Sequence, residues 1–134
     1  MAEKRQRLLE LKAEIKRELE GLDPWFFPCQ DGVEGYLGTG PVMIVGQRPA
    51  TGGGEHGGRG LSAVAFQAFY DSLKRNGFEG AHLTDLVKER KTVGKLTSDE
   101  LDRNWPLFEK ELAIAKPVVV VALGHDVLEP LVQR

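Results

Sequence analysis

The run VVVVALG, residues 118–124, constrains this chain more than any other stretch. It is uncharged, dominated by β-branched side chains and too short to cross a membrane, so it reads as a strand buried on both faces. Lys116-Pro117 precedes it and closes a helical segment. A second uninterrupted apolar run, Val42 to Val45, opens behind Pro41 with the same signature. Strands buried on both faces need helices above and below them, which points to a parallel sheet with crossover helices.

The segments between these runs supply those helices. Phe66, Phe69, Tyr70 and Leu73 mark one that stops at Asn76-Gly77. Ala81 to Leu86 is a third short strand. Thr97-Ser-Asp-Glu100 is a capping box, and Leu101, Trp105, Phe108 and Leu112 continue it at helical spacing, with Trp105 and Phe108 expected against the sheet. Pro106 is expected to kink that helix or restart it behind Asn104. Asp126 to Val132 begins a further helix.

Ahead of the sheet, residues 3–22 carry Leu8, Leu11, Ile15, Leu19 and Leu22 on one helical stripe, ended by Gly21 and Asp23-Pro24. Its basic residues alternate with Glu, so they read as a solvated face rather than a nucleic-acid arm, while the heptad-like stripe offers a partner surface. Trp25, Phe26 and Phe27 pack an irregular connector over residues 24–40. The organisation expected is an N-terminal helix, 1–23, on one α/β domain, 24–134. That domain is a three-layer α/β/α unit with a short parallel sheet. Val42–Val45 should lie between His82–Thr84 and Val118–Leu123.

Several function classes fall away. One cysteine, Cys29, excludes a disulfide framework and a cysteine-ligated iron–sulfur cluster within a single chain, and reads as a buried or idle thiol. His56, His82 and His125 are scattered without ligand spacing, so neither metal nor cofactor is expected. The N-terminus is charged from Glu3 onward, unlike a signal peptide, and no apolar run reaches membrane length. A cytoplasmic protein is expected. The net charge of -2 gives no global signal for nucleic acid. A DNA contact would need a local basic patch, for which Arg48, Arg59, Lys88, Arg90, Lys91 and Lys95 are available.

In a parallel sheet, ligands bind beyond the carboxyl ends of the strands. Three strand ends here carry Gly46-Gln47-Arg48-Pro49, Thr84-Asp85 and Leu123-Gly124-His125. The first runs into a loop, QRPATGGGEHGGRG, that is nearly bare of side chains. Such a loop costs backbone entropy and offers little packing, so a ligand approaching its backbone is the physical reason to have it. It has no Gly-Lys-Ser/Thr ending, no dinucleotide glycine spacing and no serine nucleophile elbow.

Four pieces, in order, are together specific: VMIVGQRPA, GGRG before a helix, HLTDLVKERK and FEKELAIAKPVVVVALG. They resemble the uracil-DNA glycosylase superfamily over roughly residues 40 to 132. The resemblance implies a DNA-repair hydrolase that flips a base out of DNA and cuts its N-glycosidic bond with an activated water. It implies DNA as the partner, with Pro/Gly loops gripping the phosphates. Carried over by position, it places Gln47 and Asp85 in catalytic roles, and Gly46, Arg48, Pro49, Gly58, Arg59, Leu61 and Lys88 against the base or the DNA.

The same resemblance exposes departures. Gln47 and Arg48 stand where the family carries an acid that orients the water, and neither is a general base at neutral pH. Leu61 supplies an apolar wall near the position of a base-stacking phenylalanine. Asp85 replaces a base-reading Asn. An ionised carboxylate only accepts hydrogen bonds, so it suits an exocyclic amine better than uracil. The structural alternative for Asp85 is a helix N-cap or an ion pair with Arg90. No His-Pro occurs for the family's last motif. The chain is therefore expected either to be truncated before the last strand or to lack that arm. A non-catalytic nucleobase- or nucleic-acid-binding module on the same fold is the alternative function.

Overall fold

The computed structural model describes residues 2–49, 63–89 and 97–133. The elements run α1 (Ala2–Glu18), a 3-10 turn (Gly35–Leu37), β1 (Val42–Gly46), α2 (Ala63–Arg75), β2 (His82–Asp85), α3 (Ser98–Ala115), β3 (Val119–Ala122) and α4 (His125–Gln133). The described strands form one sheet in the order β2-β1-β3. Both pairings are parallel, with Ile44 opposite Leu83 and Val121, and Gly46 opposite Asp85. The apolar run after Pro41 is thus the centre of the sheet, as its pattern predicts.

Alternation of side chains across β1 divides the core between two faces. Ile44 and Leu83 pack with Phe66, Tyr70, Leu73, Trp25 and Phe27 on the α2 side. Met43 and Val45 pack with Phe108, Ala115 and Val127 on the side of α3 and α4. Helix α1 lies against α3, where Leu8, Leu11, Ile15 and Leu19 meet Phe26, Tyr36 and Leu107. The result is the expected three-layer α/β arrangement. The leucine stripe of α1 is consumed by this contact, with Leu8, Ile15 and Leu19 at 0% exposure, so it is not a free partner surface.

Trp25 and Phe27 meet edge to face, 4.8 Å between ring centroids, as do Phe26 and Tyr36 at the same separation. Gly38 shows why a glycine pair precedes β1. A Cβ there would stand 2.0 Å from the Ala81 carbonyl oxygen, so only glycine lets the connector lie on the start of β2. Gly40 completes that seam by donating its N–H to the Gly80 carbonyl at 2.8 Å.

Three expectations are corrected. First, β3 is an edge strand rather than a buried one: Val119, Val120 and Val121 are 50%, 41% and 39% exposed. Among the described residues only β1 pairs with it, and α4 covers one face in part; a run of valines marks a strand fit for covering, not one already covered. Second, α3 does not restart behind Asn104 but runs through Pro106 as one helix. Side chains anchored on either side of it, Glu100 and Asn104 before and Phe108 and Glu111 after, fix the helix to one body and override the local preference. Third, Phe108 is fully buried as expected, but Trp105 only borders that core. The most buried face of α3 is rotated from the apolar stripe and includes Glu100, Asn104 and Glu111. The capping box itself forms as read: Thr97 accepts from the Glu100 N–H at 3.2 Å, and Glu100 accepts from the Thr97 N–H at 3.0 Å.

Candidate functional site at the carboxyl edge of the sheet

The ends of β1 and β2 are tied backbone to backbone. Gly46 and Asp85 are register partners, and beyond them the Leu86 N–H donates to the Gly46 carbonyl at 2.8 Å. The Val87 N–H donates to the Gln47 carbonyl at 3.1 Å. Gln47 and Asp85 therefore emerge as neighbours on one edge, where a parallel sheet binds its ligands. Gln47 is half-buried, while Asp85 is only 1% exposed. A carboxylate is kept that far from solvent only where other groups answer its charge. Asp85 ends a strand rather than starting a helix, so the N-cap alternative is not realised. Its other alternative partner, Arg90, lies outside the described residues.

Behind this edge, α3 presents a polar stripe instead of an apolar one. Glu100, Asn104 and Glu111 fall four and seven residues apart, on one face of the helix. Glu100 takes both terminal nitrogens of Arg48, Nη1 to Oε2 at 2.5 Å and Nη2 to Oε1 at 2.8 Å. Asn104 accepts the Lys88 N–H at 3.0 Å and donates to Glu89 at 2.7 Å. Glu89 also receives Arg103 in a bidentate pair, both contacts at 2.8 Å. Glu111 reaches Lys88 Nζ at 2.8 Å and His82 Nε2 at 2.5 Å. With Glu111 ionised, the His82 Nε2–H is the donor.

The electrostatics of this cluster are those of a sealed site. Burial alone would push the Glu111 carboxyl up, but the Lys88 charge and the His82 contact outweigh it and hold it down at about 2. The Lys88 ammonium is 2% exposed, stands 5.5 Å from the centroid of the Phe108 ring and donates to the Asp85 carbonyl at 2.5 Å. Tyr36 packs its ring 4.9 Å from that of His82. Burial, with the nearby Glu111 charge, raises its phenol well above the ordinary value.

The residues expected from the sequence fall into three groups. Gly46, Gln47 and Asp85 meet at the edge as expected. Arg48 and Lys88 are adjacent to it but turned inward, 8% and 2% exposed and committed to Glu100 and Glu111. This corrects both as members of a solvent-facing basic patch: an ammonium sealed against a carboxylate and a backbone carbonyl has no path to a phosphate. Pro49 is buried beside Arg48 in sequence. Gly58, Arg59, Leu61, Arg90, Lys91 and Lys95 lie outside the described residues. Cys29 is exposed rather than buried, and His125 opens α4 beside Glu129 at 3.3 Å.

The sequence alone marks neither Asn104 nor Glu111 as a site residue, offers His82 only as a metal ligand or a strand residue, and presents Glu100 only as a cap. The signal was present in the four- and three-residue spacing of Glu100, Asn104, Leu107 and Glu111. It is invisible to a search that follows apolar residues alone. Among the described residues no three His, Cys, Asp or Glu side chains group as a metal site. No described helix is long and apolar enough to cross a membrane.

Comparison with known proteins agrees with this fold. The family model of the uracil DNA glycosylase superfamily matches residues 35–133, most of the chain and all three strands of the sheet. No curated protein matches it.

Proposed function

The chain belongs to the uracil DNA glycosylase superfamily, and from that premise we propose that it recognises a flipped base of DNA at the joined ends of β1 and β2. Asp85 reads the base edge and Gln47 orients a water. The observation that carries this reading is the register of Asp85 against Gly46, with Gln47 next in the chain and the Asp85 side chain drawn out of solvent. The reaction such a site serves is hydrolysis. A water oxygen bonds to C1′ of the sugar as the N-glycosidic bond breaks, the electron pair of that bond leaves with the base, and the water's proton passes through solvent to the departing base.

Chemistry sets the preference. An ionised Asp85 only accepts, so it pairs with the exocyclic amine of an adenine- or cytosine-type base and disfavours uracil, whose O4 offers no proton. Gln47 can hold a water by its amide but cannot take the proton at neutral pH, so cleavage is expected to be slow. That same substitution favours the second reading, a base-binding module without cleavage. The DNA contact would come from the glycine-rich loop and the cations of residues 59 and 90–95, since Arg48 and Lys88 face inward.

Asp85→Asn restores a donor–acceptor pair and is expected to shift discrimination toward uracil by about 10- to 100-fold. Fluorescence anisotropy on duplexes that differ only in one mispaired base, for both forms, measures the shift. Equal discrimination in the two forms would remove Asp85 from the base edge. In the same duplexes under single-turnover conditions, abasic product identifies the enzyme, and discriminating binding without product identifies the binding module.

A further inference from the structure

We infer that Glu111, acting through Lys88, is the positioning residue that sets where Asp85 stands at the base-reading edge. This rests on the reading of Asp85 given above, but its geometry does not. One carboxylate grips both ends of β2: Oε2 holds His82, its first residue, and Oε1 holds Lys88, whose ammonium donates to the carbonyl of Asp85, its last. All of these side chains are buried, with His82, Lys88 and Glu111 at 1%, 2% and 0% exposure. The peptide plane that follows Asp85 is thereby fixed from α3. The two bonds that carry the β1 end, from Leu86 to Gly46 and from Val87 to Gln47, follow directly from it.

A stability argument does not account for such a pair. Sealing an ammonium and a carboxylate away from water costs as much as their attraction returns, and apolar replacements of similar volume are often as stable or more so. The Phe108 ring already stands against the Lys88 side chain, an apolar neighbour that Met in its place would keep. What an apolar pair cannot do is aim a donor at a carbonyl. The ion pair is therefore explained by direction rather than by strength, and the carbonyl it is aimed at is that of Asp85.

The test pairs a variant that removes both charges together with two readouts. Lys88→Met/Glu111→Leu is expected to lower the unfolding midpoint far less than Lys88→Met alone, the remaining cost being the buried His82 N–H left without its acceptor. Amide hydrogen exchange at Leu86 and Val87 should nonetheless accelerate by about tenfold or more, while Ile44 and Val45 at the sheet centre keep their protection. Binding to a duplex with one adenine–cytosine mismatch should weaken in parallel. If the unmodified chain does not bind that duplex, the base-reading role fails, and the exchange data still decide the positioning role. Unchanged exchange at Leu86 and Val87 in a folded double variant overturns it. Should the variant not fold, nitrogen-15 lysine spectra of the unmodified chain decide instead. One ammonium with slowed proton exchange is expected for Lys88, and a complete set of freely exchanging ammonium groups overturns the inference.

Discussion

Lys88→Met, made alone, is expected to destabilise the fold by about 3–5 kcal/mol at neutral pH, because it strands Glu111 as a buried charge. Glu111 is fully buried and, among the described residues, retains only its contact to His82 when Lys88 is gone. The pH dependence carries the diagnostic sign. In the unmodified chain the Glu111 carboxyl is held at about 2 against an ordinary 4.5. A depressed acid contributes stability in full above its unfolded value and loses it as the pH falls through its folded value. The unmodified chain should therefore lose stability between about pH 4.5 and pH 2 on this account. Removing Lys88 removes the largest of the influences that depress the group and leaves burial to push it upward. Acid then relieves the stranded charge, so the gap between variant and parent should narrow from pH 6 to pH 3. Urea unfolding at the two pH values measures it; a constant gap would mean that Glu111 is not the charge being stranded.

Phe108→Ala is expected to cost about 3–5 kcal/mol, the range for a buried aromatic side chain whose cavity cannot fully close. Phe108 has no exposed surface and packs with Met43, Val45, Leu86, Ala115 and Val127 between α3 and the sheet. Its ring also covers the Lys88 ammonium. The cavity would thus open beside a charge. Chemical denaturation gives the number, and a loss below ~1 kcal/mol would place Phe108 outside the core.

These two residues mark the limit of what pattern reading recovers. Phe108 was visible because apolar residues at helical spacing report a buried face directly. The parallel order with β1 central was visible for a similar reason: short apolar runs separated by helices leave few topologies open. Glu111 was not visible. Between Lys110 and Leu112 it looks like any solvated helix charge, and only the fold shows that its face is the inner one. Lys88 and Arg48 were legible as cations near the site but not in direction, since their partners come from a helix that begins ten residues after Lys88. β3 misled in the opposite sense. Four consecutive valines describe what a strand is made of, while edge or centre depends on how many neighbours pair with it. The edge itself, Gly46-Gln47 beside Asp85, was legible because strand ends in a parallel sheet collect the polar residues.

The reading of that edge is tested most directly by single-turnover excision on a uracil-containing duplex, comparing the unmodified chain with Asp85→Ala. Weak or absent uracil release by the unmodified chain is predicted, because Asp85 in its ionised form only accepts hydrogen bonds, whereas a protonated Asp85 would read uracil, and Gln47 supplies no base. Robust uracil release that survives Asp85→Ala would contradict the account and move the pocket away from Asp85.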